Sequence, residues 1–222
     1  MEVLKAENIS KTYSQNEISL QVLRSVSLCI QKGSFTAVLG RSGSGKSTLL
    51  NILAGLDCPS QGKVWIDGTD IFSLSEEKRT RLRREKTGFI FQAYELLPSL
   101  TVLDNIRLPQ LKPDAGYVRE LMDVLEIETY QAFYPGQLSG GQQQRTAIAR
   151  ALVNHPRILF ADEPTGNLDS KTERIVMGLL KKLVKTYETG IVMVTHNEAL
   201  VKDADEVIRL EDGGIESRGH DA

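Results

Sequence analysis

Short apolar runs alternate along the chain with longer segments in which apolar residues recur about every three or four positions. The runs at 158–161 and 191–194 are bounded by polar turns, a pattern typical of buried strands in a parallel sheet. Strands separated by helices favour an α/β fold with a mainly parallel sheet. The pattern predicts strands at 2–9, 21–30, 34–39, 63–67, 87–92, 158–161 and 191–194.

The helical segments fall between these strands. Segment 170–187 is amphipathic, and Ser170 with Glu173 predicts a capping box at its start. Residues 101–153 carry little strand signal, so we predict a helical subdomain inserted between core strands; ordinary crossover helices are the alternative. Within this insert, Asp114 is a predicted N-cap. Further helices are predicted at 45–54, 76–86 and 142–153.

The composition is that of an ordinary globular protein, with 41% hydrophobic and 25% charged residues among 222. A net charge of −2 argues against sequence-independent nucleic-acid binding, so no nucleic-acid partner is expected. No window approaches the roughly 18 apolar residues of a spanning helix, and the first residues lack the apolar core of a secretory signal. The cysteines, Cys29 and Cys58, are too few for a disulfide scaffold and indicate a reduced, intracellular setting.

A glycine-rich loop follows the predicted strand 34–39 and fits the pattern G-x-x-x-x-G-K-[ST] at every fixed position. Glycines let backbone N–H groups wrap around a polyphosphate, and the N-terminus of the helix that follows favours an anion. We expect Lys46 to reach the β- and γ-phosphates, Ser47 to coordinate Mg²⁺ and Thr48 to add a contact. A glycine-rich turn with a surface lysine is the alternative. The phosphate loop comprises Gly40, Arg41, Ser42, Gly43, Ser44, Gly45, Lys46 and Ser47.

Polar side chains follow other predicted strands and suggest hydrolysis. Asp162 could hold Mg²⁺ directly or through water, and Glu163 is a candidate base that polarises water; a strand-ending acid pair that caps a loop is the alternative. His196 would emerge at the carboxyl edge of the sheet, where it could contact the γ-phosphate and orient Glu163. Gln92 also ends a strand and could sense metal and water. Structural or simply exposed roles are expected for His155 and His220.

The segment Leu138-Ser139-Gly140-Gly141-Gln142 comes directly before a predicted helix. It offers backbone N–H groups, a hydroxyl and a helix N-terminus, which together indicate a second anion site. A serine-capped helix with a flexible entry would explain the serine but not the second glycine.

With this segment the chain resembles the ATP-binding-cassette (ABC) ATPases over nearly its whole length. The phosphate loop, the signature at 138–142 and the acid pair at 162–163 stand in the family's order. The Q-loop with Gln92, the D-loop at 167–169 and the switch His196 do so too. The resemblance implies a P-loop NTPase fold with a single domain, 1–222. Its expected parts are a RecA-like core (1–92 and 154–222) with an N-terminal antiparallel β part, and a helical subdomain at about 93–153 that carries the signature.

The resemblance also implies that two copies act together. In the family, the signature of one subunit closes over the nucleotide on the phosphate loop of the other, which gives a head-to-tail homodimer with two sandwiched ATP molecules. Asp169 would cross the interface, and Tyr13 matches the aromatic residue that stacks on adenine; an ordinary strand-end tyrosine is the alternative. The nucleotide-binding residues of the signature would be Ser139, Gly140, Gly141 and Gln142, with Ser139 and Gly141 touching the partner's γ-phosphate.

The implied function is ATP binding and Mg²⁺-dependent hydrolysis that powers a separate integral-membrane permease from the cytoplasmic face. A soluble ABC ATPase with a mechanical or cell-division role is the alternative. Residues 40–43, 165–170, Tyr134-Pro135 and 17–21 resemble the branch that serves lipoprotein release, macrolide and peptide export, or cell division. The segment 101–138 is several residues shorter than in that branch. With Gln92, this region receives the membrane subunit in the family. The guanine-reading motif of GTPases, N/T-K-x-D, is not found.

Overall fold

The computed structural model describes residues 1–15, 18–202 and 204–219. In that part of the chain the strands form a four-stranded antiparallel sheet and a six-stranded, mainly parallel sheet. The strands are β1 Glu2–Gln15, β2 Ile18–Gln31, β3 Phe35–Leu39, β4 Gln61–Ile66, β5 Thr69–Asp70, β6 Thr87–Ile90, β7 Ile158–Asp162, β8 Gly190–Thr195, β9 Glu206–Glu211 and β10 Gly214–Gly219. The helices are α1 Lys46–Leu53, α2 Glu76–Lys86, α3 Val102–Arg107, α4 Ala115–Val124, α5 Gly140–Leu152, α6 Ser170–Thr186 and α7 Glu198–Val201.

The larger sheet, ordered β10-β9-β3-β8-β7-β6, positions the candidate site. Strand β3 pairs in parallel with β8 and β9, and β7 pairs in parallel with β6 and β8. The phosphate loop follows β3, Glu163 follows β7 and His196 follows β8. Since these strands run the same way, the three segments leave the sheet at one edge, where open α/β folds bind ligands. The predicted α/β fold with a mainly parallel sheet is confirmed.

The antiparallel sheet, ordered β2-β1-β4-β5, confirms the expected N-terminal β part. Strand β1 is longer than predicted, because residues 10–15, which lack an apolar pattern, continue to pair with β2. Residues 16 and 17 lie outside the described part, and with them the start of the stretch 17–21. His220 also lies outside the described residues.

Hydrophobic residues fill both faces of the parallel sheet. Along β3, Ala37 packs in a cluster with Ile148 of α5 and Leu180 of α6. Its neighbour Val38 points to the other face and packs with Leu49 of α1 and with the antiparallel sheet. This alternation is the two-residue period of a strand covered on both faces. A search of the described residues found no helix with the length and apolar character needed to cross a membrane.

The segment between β6 and β7 contains α3, α4 and α5. Asp114 Oδ1 accepts a hydrogen bond from the backbone N–H of Tyr117 at 2.9 Å, which confirms the predicted cap of α4. Asn105 of α3 is fully buried. Its amide accepts from the Leu97 N–H at 2.8 Å and donates to the Leu97 and Leu100 carbonyls, so it fixes the loop before α3.

The predicted capping box of Ser170 and Glu173 is wrong. Asp169 is the N-cap of α6, and its Oδ1 accepts from the backbone N–H groups of Lys171 and Thr172 at 3.0 and 3.1 Å. Ser170 is already the first helical residue. Asp and Ser are equally good caps, so adjacent cap-type residues left the helix start ambiguous in the sequence.

Candidate functional site

The phosphate loop turns through left-handed backbone conformations at Gly43 (φ 82°) and Gly45 (φ 97°), which glycine adopts without strain. Helix α1 begins directly after the loop at Lys46. The free N–H groups of its first turn therefore lie beside the loop, and they favour an anion there.

Lys46 is held inside this loop. Its Nζ donates to the carbonyl oxygens of Gly40 and Arg41 at 2.7 and 2.8 Å. Burial lowers the pKa of Lys46, and the charges of Glu163 and Asp162 partly oppose that shift. Phosphate oxygens offer this partly desolvated ammonium stronger acceptors than the loop carbonyls do.

Ser44 and Ser47 place hydroxyls at the same loop. Ser44 Oγ is buried and has no hydrogen-bond partner among the described residues, as expected of a group that serves a ligand. Ser47 Oγ donates to Asp162 Oδ1 at 3.4 Å. Burial raises the pKa of Asp162, and the negative charge of Glu163 adds to the shift. The Ser47 hydroxyl and the Asp162 carboxylate are hard oxygen donors that fit Mg²⁺, and a cation would relieve the cost of burying this carboxylate.

Glu163 and His196 form a hydrogen-bonded pair, with 2.8 Å between Glu163 Oε1 and His196 Nδ1. Glu163 has φ 43°. Its N–H donates to the Val194 carbonyl of β8 at 3.0 Å, so the Glu163 backbone is bound to the strand that ends just before His196. With Lys46 and Ser47, the pair lines a cavity of about 520 Å³ beside the phosphate loop. An ammonium, a hydroxyl and a carboxylate–imidazole pair thus face one space.

Tyr13 is held by two residues that sequence analysis missed. Its hydroxyl donates to Asp57 Oδ2 at 2.7 Å, and Lys11 Nζ donates to Asp57 Oδ1 at 2.7 Å. Lys11 Nζ also lies 4.7 Å from the centroid of the Tyr13 ring. Burial alone would raise the pKa of Asp57, but the hydrogen bonds from Lys11 and Tyr13 lower it. No local sequence signal links Asp57 to Tyr13, because they meet only after β1 and the turn at 57–60 have folded together.

Gln92 is exposed and is not among the described residues that line the cavity of Glu163 and Lys46. Its carbonyl accepts from Asn167 Nδ2 at 2.9 Å. Its side-chain amide packs on Gly166, where an added Cβ would lie 2.7 Å from Gln92 Nε2. The Q-loop therefore contacts the D-loop in this structure.

The signature forms the start of α5, which begins at Gly140 rather than at 142 as predicted. Ser139 and Gln142 make a reciprocal capping box, in which Ser139 N–H donates to Gln142 Oε1 at 2.8 Å and Ser139 Oγ accepts from Gln142 N–H. Gly140 and Gly141 do not have positive φ. The second glycine instead reflects close packing, because a Cβ at Gly141 would lie 2.5 Å from Thr172 Cγ2 of α6.

The exposed Ser139 is not among the described residues lining the cavity at the phosphate loop. Asp169 uses its carboxylate to cap α6 and also accepts from Thr172 Oγ1 at 2.6 Å, and these hydrogen bonds lower its pKa. His155 stacks on Tyr117 with 3.8 Å between ring centroids, so the expected structural role is confirmed. Cys29 and Cys58 are both free and exposed.

Known proteins resemble this chain over nearly its whole length. A family model described as ABC transporter matches residues 23–166. The ABC transporter ATP-binding protein MJ1508 of Methanocaldococcus jannaschii is 47% identical over 96% of this chain and 97% of its own length. The lipoprotein-releasing system ATP-binding protein LolD of Psychrobacter arcticus is 42% identical over 97% of this chain and 98% of its own length.

A longer relative and solved structures extend the comparison. The macrolide export ATP-binding/permease protein MacB of Neisseria gonorrhoeae is 42% identical over 97% of this chain, which spans 34% of MacB. The dimeric ABC transporter cassette MJ0796 is 42% identical and superposes with a TM-score of 0.88 over 98% of both chains. A second dimeric structure of that cassette, in a post-hydrolysis state bound to ADP and Pi, also gives a TM-score of 0.88 at 41% identity, again covering 98% of both chains.

Proposed function

The chain belongs to the ABC transporter family, and we propose that two copies of it close head to tail around two ATP molecules to power a membrane permease. As a member of that family it is an ATP-binding protein and an ATPase. The observation that carries the proposal is the convergence of Lys46, Ser47, Glu163 and His196 on one cavity at the phosphate loop.

In each copy, the N–H groups of the phosphate loop and of α1 bind the triphosphate, and Lys46 turns from the loop carbonyls to the β- and γ-oxygens. Glu163 accepts a proton from the water that attacks the γ-phosphorus in line with the departing ADP oxygen. His196, whose Nδ1 is hydrogen-bonded to Glu163, turns its other ring nitrogen to the γ-phosphate, so it fixes the base against the reacting group.

Ser47 and Asp162 would hold Mg²⁺, which when bound neutralises charge on the phosphate oxygens. Gln92 would join them only by moving with its loop, since it packs against Gly166 in this structure. Tyr13, set by Asp57, would stack on the adenine.

The signature acts in trans in this proposal, and residues of about 93–153 form the subdomain that presents it. Ser139 is exposed at the N-terminus of α5, an anion site that the chain's own phosphate loop does not share. The dimeric state of the MJ0796 cassette supports this assignment. ATP would favour the closed dimer because its γ-phosphate contacts both copies only there.

The permease partner is inferred from the relatives. LolD is named as the ATP-binding protein of a lipoprotein-releasing system, and MacB as an ATP-binding and permease protein for macrolide export. By analogy, this chain would lie on the cytoplasmic face of the membrane, bound to a permease of the lipoprotein-release and export branch. We propose no nucleic-acid partner.

The Glu163→Gln variant tests the proposal. We expect it to bind ATP, to lose hydrolysis and to migrate as an ATP-dependent dimer in size-exclusion chromatography, because the amide cannot accept the proton but the closing contacts remain. Glu188→Gln, which changes an exposed carboxylate paired with Lys32, is the matched control and should hydrolyse ATP as the parent does. Parental hydrolysis by Glu163→Gln would show that Glu163 is not the base, and a monomer at saturating ATP would refute the sandwich.

A further inference from the structure

Gly140, the first glycine of the signature, lies beside Tyr94, which follows Gln92 by two residues. A Cβ at Gly140 would lie 2.9 Å from the Tyr94 hydroxyl oxygen and 3.3 Å from Leu168 Cδ2. Gly140 does not have positive φ, and it is the first residue of α5, where alanine would suit the helix better than glycine. The atom closest to an added side chain here is therefore the Tyr94 hydroxyl oxygen, which would have to shift.

Tyr94 belongs to the Q-loop, and a side chain of α5 fixes its backbone. Tyr94 and Glu95 have φ of 61° and 49°, left-handed conformations that non-glycine residues adopt only when their surroundings impose them. Arg150 of α5 imposes them: its guanidinium donates to the Tyr94 carbonyl at 2.7 Å and to the Glu95 carbonyl. Helix α5 thus contacts Tyr94 at two points. Arg150, near the C-terminus of the helix, binds the Tyr94 backbone, and Gly140, at the N-terminus of the helix, lies beside the Tyr94 hydroxyl.

The D-loop completes the same cluster. Asn167 Nδ2 donates to the Gln92 carbonyl at 2.9 Å, and Leu168 packs on Gly140. The Q-loop, the D-loop and the signature are therefore in direct contact within one chain. A shift of the Q-loop would reach the signature most directly through Tyr94.

We propose that Tyr94 is a positioning residue that sets the N-terminus of α5 relative to the Q-loop, and through it the presentation of Ser139 to the partner's phosphate. The inference rests on the proposed head-to-tail dimer. Tyr94 touches no substrate in this scheme. Its hydroxyl acts as a spacer whose contact with Gly140 determines where the signature lies.

A double-mutant cycle between Tyr94 and Gly140 tests the spacer. Gly140→Ala forces the methyl group against the hydroxyl, and we expect kcat to fall by roughly tenfold with the KM for ATP nearly unchanged, because the chain's own phosphate loop is untouched. Tyr94→Phe removes the contact and should lower kcat by about threefold. In the double variant the ring carbon Cζ lies 3.8 Å from the new methyl, an ordinary contact, and Leu168 Cδ2 at 3.3 Å is a side-chain end that needs to shift by only a few tenths of an ångström, so kcat should recover to within about twofold of the parent.

Two matched control variants distinguish a specific effect of the Tyr94 hydroxyl from a general loss of packing. Tyr134→Phe removes an exposed tyrosine hydroxyl and should not restore Gly140→Ala. Tyr94→Phe should not restore Gly141→Ala, because that methyl meets Thr172 rather than Tyr94. In the Glu163→Gln background, Gly140→Ala should weaken ATP-dependent dimerisation and Tyr94→Phe should restore it. Thermal unfolding of each variant shows whether a change in kcat follows from loss of fold.

The outcomes distinguish this inference from the proposed function. If the parent hydrolyses ATP and Glu163→Gln forms the ATP dimer, but Gly140→Ala is fully active or is not restored by Tyr94→Phe, the spacer role of Tyr94 is wrong and the dimer stands. If Glu163→Gln stays monomeric with ATP, the proposed dimer fails and this inference fails with it. If Tyr94→Phe restores both kcat and dimerisation to Gly140→Ala, and Tyr134→Phe does not, the spacer role of Tyr94 is supported.

Discussion

Asp57 should control binding of the nucleotide base without touching the phosphates. Its carboxylate accepts from the Tyr13 hydroxyl and from Lys11 Nζ, each at 2.7 Å, and thereby holds a ring that is 45% exposed. Asp57→Ala removes both acceptors. The ring then becomes free to rotate, and a nucleotide that stacks on it must order it during binding.

The expected loss of ATP affinity in Asp57→Ala follows from how exposed the Asp57 carboxylate and its hydrogen bonds are. Hydrogen bonds to charged groups contribute about 1.5–3 kcal/mol when buried, whereas exposed ion pairs contribute about 0.2–1 kcal/mol. The Asp57 side chain is 32% exposed, between these limits. Ordering one side chain on binding costs about 0.5–1.5 kcal/mol. Both arguments give about 1 kcal/mol, which corresponds to roughly fivefold weaker ATP binding.

Calorimetry in the Glu163→Gln background measures affinity without turnover. For Asp57→Ala we expect roughly fivefold weaker binding of ATP and unchanged binding of inorganic tripolyphosphate, which has no base. Asp67→Ala is the control, because the Asp67 carboxylate has similar exposure but accepts from Lys86, at 2.9 Å, rather than from Tyr13. Equal weakening of ATP and tripolyphosphate, or no weakening of ATP, would refute the role of Asp57 in setting Tyr13.

Two predictions concern stability. Burial and Glu163 raise the pKa of Asp162, so its ionised carboxylate destabilises the fold above that pKa, and the cost disappears as the pH falls through it. Asp162→Asn should therefore unfold at a higher temperature than the parent at neutral pH without nucleotide, with the gap closing in acid; a lower unfolding temperature at neutral pH would contradict this. Asn105→Ala removes a fully buried amide and leaves the Leu97 N–H without its acceptor, which should cost about 2–4 kcal/mol in urea unfolding. Asn154 accepts a similar backbone hydrogen bond at a more exposed site, so Asn154→Ala should lower the free energy of unfolding by less. Equal losses in the two variants would show that burial of Asn105 does not set the cost.

The parts of the fold that the sequence predicted well are those specified locally. Strands β3, β7 and β8 are continuous apolar runs, and the phosphate loop has all its fixed residues within one short segment. The errors arise where structure depends on a distant partner or on competing local signals. The end of β1 is fixed by pairing with β2, and the start of α6 was ambiguous because Asp169 and Ser170 are both cap-type residues.

The glycines of the site show why its remaining parts could not be read from the sequence. Gly43 has φ 82° and no atom within 4 Å of an added Cβ, so backbone conformation alone favours glycine at a position that the loop motif leaves open. Gly140 has an ordinary φ but a close neighbour in Tyr94, so a side chain there meets an atom that is near only in the folded chain. We therefore expect a change at Tyr94 to relieve alanine at Gly140, whereas the backbone strain of alanine at Gly43 involves no neighbouring side chain. The structure therefore gives different reasons for the two glycines, namely a left-handed backbone conformation at Gly43 and a neighbouring side chain at Gly140.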